Sequence, residues 1–248
     1  MERNALEELV FKHDFDRALA TRFAPAPKRF GLMLLIALDH ELSRIDRATS
    51  EPLLRRIKIQ FWRDAIFDNK SAGLPLVTAL QDCFSTSTKH FEGLELLLDA
   101  YERRLDQPAL ELAHNPPKTE CEAVLFRLLC EYLHPFAKPM KPAFFKQCGA
   151  VYVGIDQLQD LSQEGDLKKI EKVRRVENVR QSYLHLYGDL KKTPDSAVAG
   201  ILSLALVPPY LDLYQTSDNR YGKPAKVHPL KKAFIMWRAL RFGFKPLK

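Results

Sequence analysis

The stretch "SEPLLRRIKIQFWRDAIF" (residues 50–67) decides the fold class. It reads as one long helix, with Ser50 as N-cap and Pro52 in the first turn, where a missing N–H costs nothing. Helical spacing recurs outward from it, in Leu94, Leu97, Leu98 and Tyr101, in Val124, Leu125, Leu128 and Leu129, and in Ile155, Leu158 and Leu161. The chain has only ten glycines, and no alternating Val/Ile/Thr run is long enough to make a strand. Prolines, among them Pro25, Pro75, Pro108, Pro194 and Pro229, fall where an apolar periodicity stops. The pattern predicts an all-α bundle of roughly eight to ten helices. No Gly/Ser-rich linker or charge block divides it, so residues 1–248 are expected to form a single domain.

Of the 248 residues, 46% are hydrophobic and 28% charged, which is enough for a sizeable core and excludes a disordered chain. The longest apolar run, "FGLMLLIAL" (30–38), is short of the about 20 residues a membrane span needs. The start, "MERNALEEL", has neither the basic and apolar regions of a signal peptide nor the acid-poor character of a transit peptide. Cys83, Cys121, Cys130 and Cys148 form no CxxC pair. Cys130 and His134 have a spacing compatible with a metal, but buried reduced thiols in a cytoplasmic protein are the simpler expectation. No Gly-rich dinucleotide fingerprint occurs.

The net charge of +7 is unevenly placed. Residues 219–248 hold nine basic side chains and no acidic one, and without these nine the remaining 29 bases face 31 acids. This excludes a nucleic-acid surface covering the whole molecule and points to a local contact with something anionic. "PLKKAFIMWRALRFGF" (229–244) mixes Phe234, Trp237 and Phe244 with Lys231, Lys232, Arg238 and Arg241. It is expected to close the bundle with a basic outer face, and an anionic bilayer surface is its alternative partner.

"DQLQDLSQE" (156–164) sets Asp156, Asp160 and Glu164 four residues apart on one helical face. Asp160 has no lysine or arginine at helical spacing, and like charges so placed repel by roughly 0.2–0.5 kcal/mol per pair. A divalent cation gripped by these three carboxylates would relieve the repulsion, while a solvated face needs no further account.

Three stretches together resemble the squalene/phytoene synthase family, the head-to-head prenyltransferases. They are "DRALATRFAPAPKRFGLMLLIALDHELSRI" (16–45), "EPLLRRIKIQFWRDAI" (51–66), with Lys58 and Phe61 where the family carries arginine and tryptophan, and "GAVYVGIDQLQDLSQEGD" (149–166). The resemblance implies an isoprenoid-synthase-like helical bundle around a central cavity. It also implies Mg2+ bridging an isoprenoid diphosphate to carboxylates on two facing helices, with Asp156, Asp160 and Glu164 as the metal ligands if their helix faces the cavity. Arg22, Arg29, Lys58 and Arg63 are the expected phosphate contacts, arginine binding phosphate bidentately and lysine as a point charge.

The sequence departs from the family where the first acidic cluster belongs. Ser43 and Arg47 stand at the expected aspartates, with Asp39 and Asp46 as partial substitutes, and the Gly-Arg-x-Tyr-Leu-Pro stretch is missing. "DHELSR" (39–44) resembles instead a branch of the family similar to the assembly factors of respiratory complex I. A divergent, weakly or non-catalytic member is therefore expected. It would bind an isoprenoid or other lipid, or assist assembly of a membrane respiratory complex. An active Mg2+-dependent transferase condensing two prenyl diphosphates and a peripheral membrane adaptor are the alternatives. The expected location is the cytoplasm, including the inner membrane face.

Overall fold

The computed structural model describes residues 2–48, 51–68, 73–84, 88–105, 118–135, 140–161, 169–216 and 227–245. Among them the chain forms eleven α-helices, two short 3-10 helices and no strand. The helices are α1 (Arg3–His13), α2 (Phe15–Thr21), α3 (Ala26–Ala48), α4 (Pro52–Phe67), α5 (Pro75–Phe84) and α6 (Thr88–Leu105). They continue with α7 (Lys118–Leu133), α8 (Pro142–Leu161), α9 (Lys169–Leu190), α10 (Val207–Thr216) and α11 (Pro229–Phe242). The 3-10 helices, Val198–Gly200 and Leu202–Leu206, lie between α9 and α10.

The all-α expectation holds, with more helices than the eight to ten expected. Part of the excess arises where Asp14 separates α1 from the seven-residue α2. Its backbone (φ −141°, ψ 74°) leaves the helical region, and its carboxylate accepts the Arg17 N–H at 3.0 Å as an N-cap. The cap of α4 also differs. The N-cap position is Glu51 rather than Ser50, and the Glu51 side chain makes no cap bond. Pro52, at the first helical position, sets the start instead, through its fixed φ.

Two helices organise the core. Leu32 through Leu38 of α3 are all buried, and a helix apolar on every side belongs in the middle of a bundle. Helix α7 packs against α3 and α6 on one side and against α8 and the first 3-10 helix on the other. It thereby joins an amino-terminal apolar cluster, including Leu38, Phe84 and Leu98, to a carboxy-terminal one including Val151, Tyr183 and Leu202. Glycines permit the closest approaches. A Cβ on Gly31 would lie 2.3 Å from the Tyr132 hydroxyl oxygen, and one on Gly149 would lie 2.5 Å from the Thr119 carbonyl oxygen.

The thiols behave as expected of buried cysteines: Cys121, Cys130 and Cys148 are buried, Cys83 is half-buried, and all four are free. No helix among the described residues is long and apolar enough to cross a membrane.

Candidate functional site

Where the two apolar clusters meet, the interior is ionic. Arg17 projects from α2 and is only 6% exposed. Its guanidinium bonds Asp14 through Nε, Glu122 of α7 at 2.7 Å and Asp39 of α3 at 3.4 Å. Glu122 is 1% exposed and Asp39 4%, so one cation holds two deeply buried carboxylates and a third at the margin. Tyrosines complete the shell. Tyr101 donates to Asp39 Oδ1 at 2.8 Å, and Tyr152 donates to Asp14 Oδ2 at 3.1 Å. The Arg17 guanidinium carbon also stands 4.5 Å from the centre of the Tyr152 ring, within cation–π range.

The charges respond to one another. Burial works against ionised Arg17, but Asp14, Glu122 and Asp39 outweigh it and keep the guanidinium firmly charged. Burial pushes the Glu122 carboxyl up to about 7, against the pull of Arg17 and with Asp39 adding to the rise. Burial likewise raises Tyr101 and Tyr152, which stay protonated as donors. Lys118, at the start of α7, pairs with Asp156 of α8; burial lowers it, while Glu122 and Asp156 hold it above its usual value. Nearby, the half-buried Asp16 accepts from Tyr210 at 2.7 Å and from Lys232 of α11 at 2.5 Å.

A pocket does lie between the helices, where the resemblance places a cavity, but it is small. Its free volume is about 10 Å³, room for about one water molecule, beside Arg17, Thr21, Leu32, Ile36, Leu129 and Ser203. Pockets for organic ligands run to roughly 300–1,000 Å³. The Ser203 hydroxyl is buried there without a hydrogen-bond partner among the described residues.

The residues expected from the sequence are scattered around this centre rather than gathered in it. Arg22 is exposed, paired with Glu7 at 2.6 Å and lying over the Phe11 ring. Arg29 donates to the Ala24 carbonyl at 2.9 Å, next to the start of its own helix. Lys58 is exposed. Arg63 bonds Asp99 at 2.8 Å and Glu102 at 2.9 Å, so it fastens α4 to α6. Asp156 is about half-exposed and held by Lys118. The Asp160 side chain, the side chains of Asp46 and Arg47, and the whole of Glu164 lie outside the described residues.

These placements bear on a metal. A divalent cation needs several carboxylate oxygens free to converge on it. Asp14, Asp39 and Glu122 already converge on Arg17, and Asp156 is paired with Lys118. As placed, these four carboxylates do not fit a Mg2+ site, because protein cations already hold them.

Sequence reasoning missed Arg17, Glu122 and the tyrosines as a unit. One signal was available: Glu122 lies on the face of α7 that also carries Leu125, Phe126 and Leu129, all buried. A carboxylate on an apolar face needs a buried partner.

Residues 10–122 match the family model described as squalene/phytoene synthase. No curated protein and no solved structure matches the chain. The matched segment contains Asp14, Arg17 and Asp39 and ends on Glu122, so all the ionic partners in this centre fall within it. Over that segment, somewhat less than half of the 248 residues, the chain is similar to the squalene/phytoene synthase family, and the all-α bundle that carries the segment agrees with that similarity.

Proposed function

We propose that this protein does not ionise prenyl diphosphates and serves instead as a scaffold in the assembly of a membrane respiratory complex. The observation that carries the first half is Arg17, bonded to Asp14, Asp39 and Glu122 in the middle of the bundle. Ionising an allylic diphosphate requires hard cations on the departing anion. That in turn requires carboxylates with uncommitted oxygens and room for a long apolar chain. Here the carboxylates are neutralised by a side chain, and the pocket beside Arg17 has a free volume of about 10 Å³. The second half rests on "DHELSR" in α3, where Glu41 pairs with Arg44 at 3.0 Å and Ser43 donates to the His40 carbonyl. Ser43 occupies a position at which an active enzyme would present an aspartate.

The test has two arms. Purified protein with farnesyl or geranylgeranyl diphosphate and Mg2+ is expected to release no pyrophosphate above background. Steady release that Asp156→Asn abolishes would overturn the non-catalytic reading. In the host, deleting the chain is expected to lower NADH:ubiquinone oxidoreductase activity in membranes while leaving isoprenoid content unchanged. Unaltered oxidoreductase activity would overturn the assembly role.

A second reading, an active Mg2+-dependent transferase, is favoured by one feature. Asp39, Glu122 and Asp156 sit on α3, α7 and α8, facing helices of one bundle. In that reading Arg17 releases the carboxylates and takes the diphosphate, and the same pyrophosphate assay decides between the two.

A further inference from the structure

Helix α11 has two apolar faces, and only one of them is covered by the described residues. Met236 and Ala239 are buried, and Lys232 reaches inward to Asp16, so the inner face seals α11 against α2 and the second 3-10 helix. On the outer side Leu230 is 75% exposed, Phe234 60%, Trp237 45% and Phe242 75%. Leu230, Phe234, Trp237 and Arg241 follow helical spacing and share a face. The rings form a continuous strip, with Phe234 and Trp237 centroids 5.9 Å apart and Trp237 and Phe242 6.0 Å apart. Lys231, Arg241 and Lys245 are exposed beside it, and residues 219–248 contain no acid.

From this arrangement we propose that the outer face of α11 docks the protein on an anionic phospholipid bilayer, its aromatic strip entering the headgroup layer and its basic residues facing lipid phosphates. The pairing of Trp and Phe with flanking cations is the composition of an interfacial helix. The exposed strip on α4, Leu53, Ile57 and Phe61, is a useful contrast. Its neighbourhood mixes Arg55, Arg56 and Lys58 with Glu51, Asp64 and Asp68, so it lacks the one-signed charge of α11. The proposal is independent of whether the interior catalyses anything, because none of these residues reaches the Arg17 centre.

The experiment uses the full chain carrying Trp62→Phe, which leaves Trp237 as the only tryptophan. Vesicles of phosphatidylcholine, with and without phosphatidylglycerol, are tested by co-sedimentation and by quenching of Trp237 with brominated lipid. Expected are binding to the anionic vesicles only, loss of binding with rising salt, and quenching of Trp237. Each neutralised basic residue, as in Lys231→Gln and Arg241→Gln, is expected to weaken partitioning about fivefold. Phe234→Ser is expected to reduce binding, and Phe61→Ser to leave it unchanged. Equal binding to neutral vesicles, an unquenched Trp237, loss of binding in Phe61→Ser, or binding to an acidic polypeptide but to no vesicle would each overturn the proposal.

Discussion

Replacing Glu122 with glutamine tests the ionic centre through its pH dependence. The folded protein holds the Glu122 proton up to about pH 7 because the carboxyl is buried and Asp39 is near. An unfolded chain gives it up near the ordinary glutamate value of about 4.3. Between these limits the folded state binds more protons than the unfolded one, so stability falls as pH rises. This contribution is complete below the unfolded value and lost once the pH passes the folded one. At about 1.36 kcal/mol per unit, it reaches on the order of 3 kcal/mol across the window. Glutamine keeps the shape and offers Arg17 an acceptor, but does not titrate. Urea unfolding at a series of pH values from acid to slightly alkaline supplies the assay. The stability of wild type minus that of Glu122→Gln is expected to drop steadily through the window and to level off above about pH 7. A difference that stays flat across the whole range would refute the buried, proton-holding carboxyl.

Other perturbations follow from the same packing. Arg17→Met strips the cation from two buried carboxylates and should cost about 3–5 kcal/mol, read as a lower urea midpoint. Pairing it with Glu122→Gln should recover part of that loss. Gly149→Ala drives a Cβ within 2.5 Å of the Thr119 carbonyl and 2.9 Å of the Ala123 nitrogen, backbone that cannot turn aside, and should destabilise by about 1–3 kcal/mol. Gly188→Ala, in α9 with open space around its Cβ, should raise the melting temperature through a gain of about 0.5–1 kcal/mol. Ser203→Ala removes a buried hydroxyl with no partner among the described residues, and thermal melts should show it neutral or up to about 1 kcal/mol stabilising.

The helical fold was legible because its signal is local. The run at 30–38 was read as too short for a membrane, and it became the central helix α3, where burial on every side selects apolar residues at every position. Short elements were harder. Nothing in "FKHDFDRALA" (11–20) announces that Asp14 ends one helix and caps the next, because that depends on where its carboxylate finds the Arg17 amide. The ionic centre was the least legible part. Arg17 and Glu122 are 105 residues apart, and only the packing of both α2 and α7 on α3 brings them together. The half-buried Arg63 matches a phosphate ligand by motif alone, yet Asp99 and Glu102, the acids that claim it, lie on a different helix. Motif matching finds residues of the right type, but not which of them the fold has already paired.

The most direct measurement is a crystal structure of the wild-type chain grown with Mg2+ and a thio-analogue of farnesyl diphosphate. The account predicts Arg17 still bonded to Asp14, Asp39 and Glu122, and no ligand density between α2, α3 and α7. A diphosphate seated there, with metal on Asp39 or Asp156 and the Arg17 guanidinium turned onto phosphate oxygens, would contradict it.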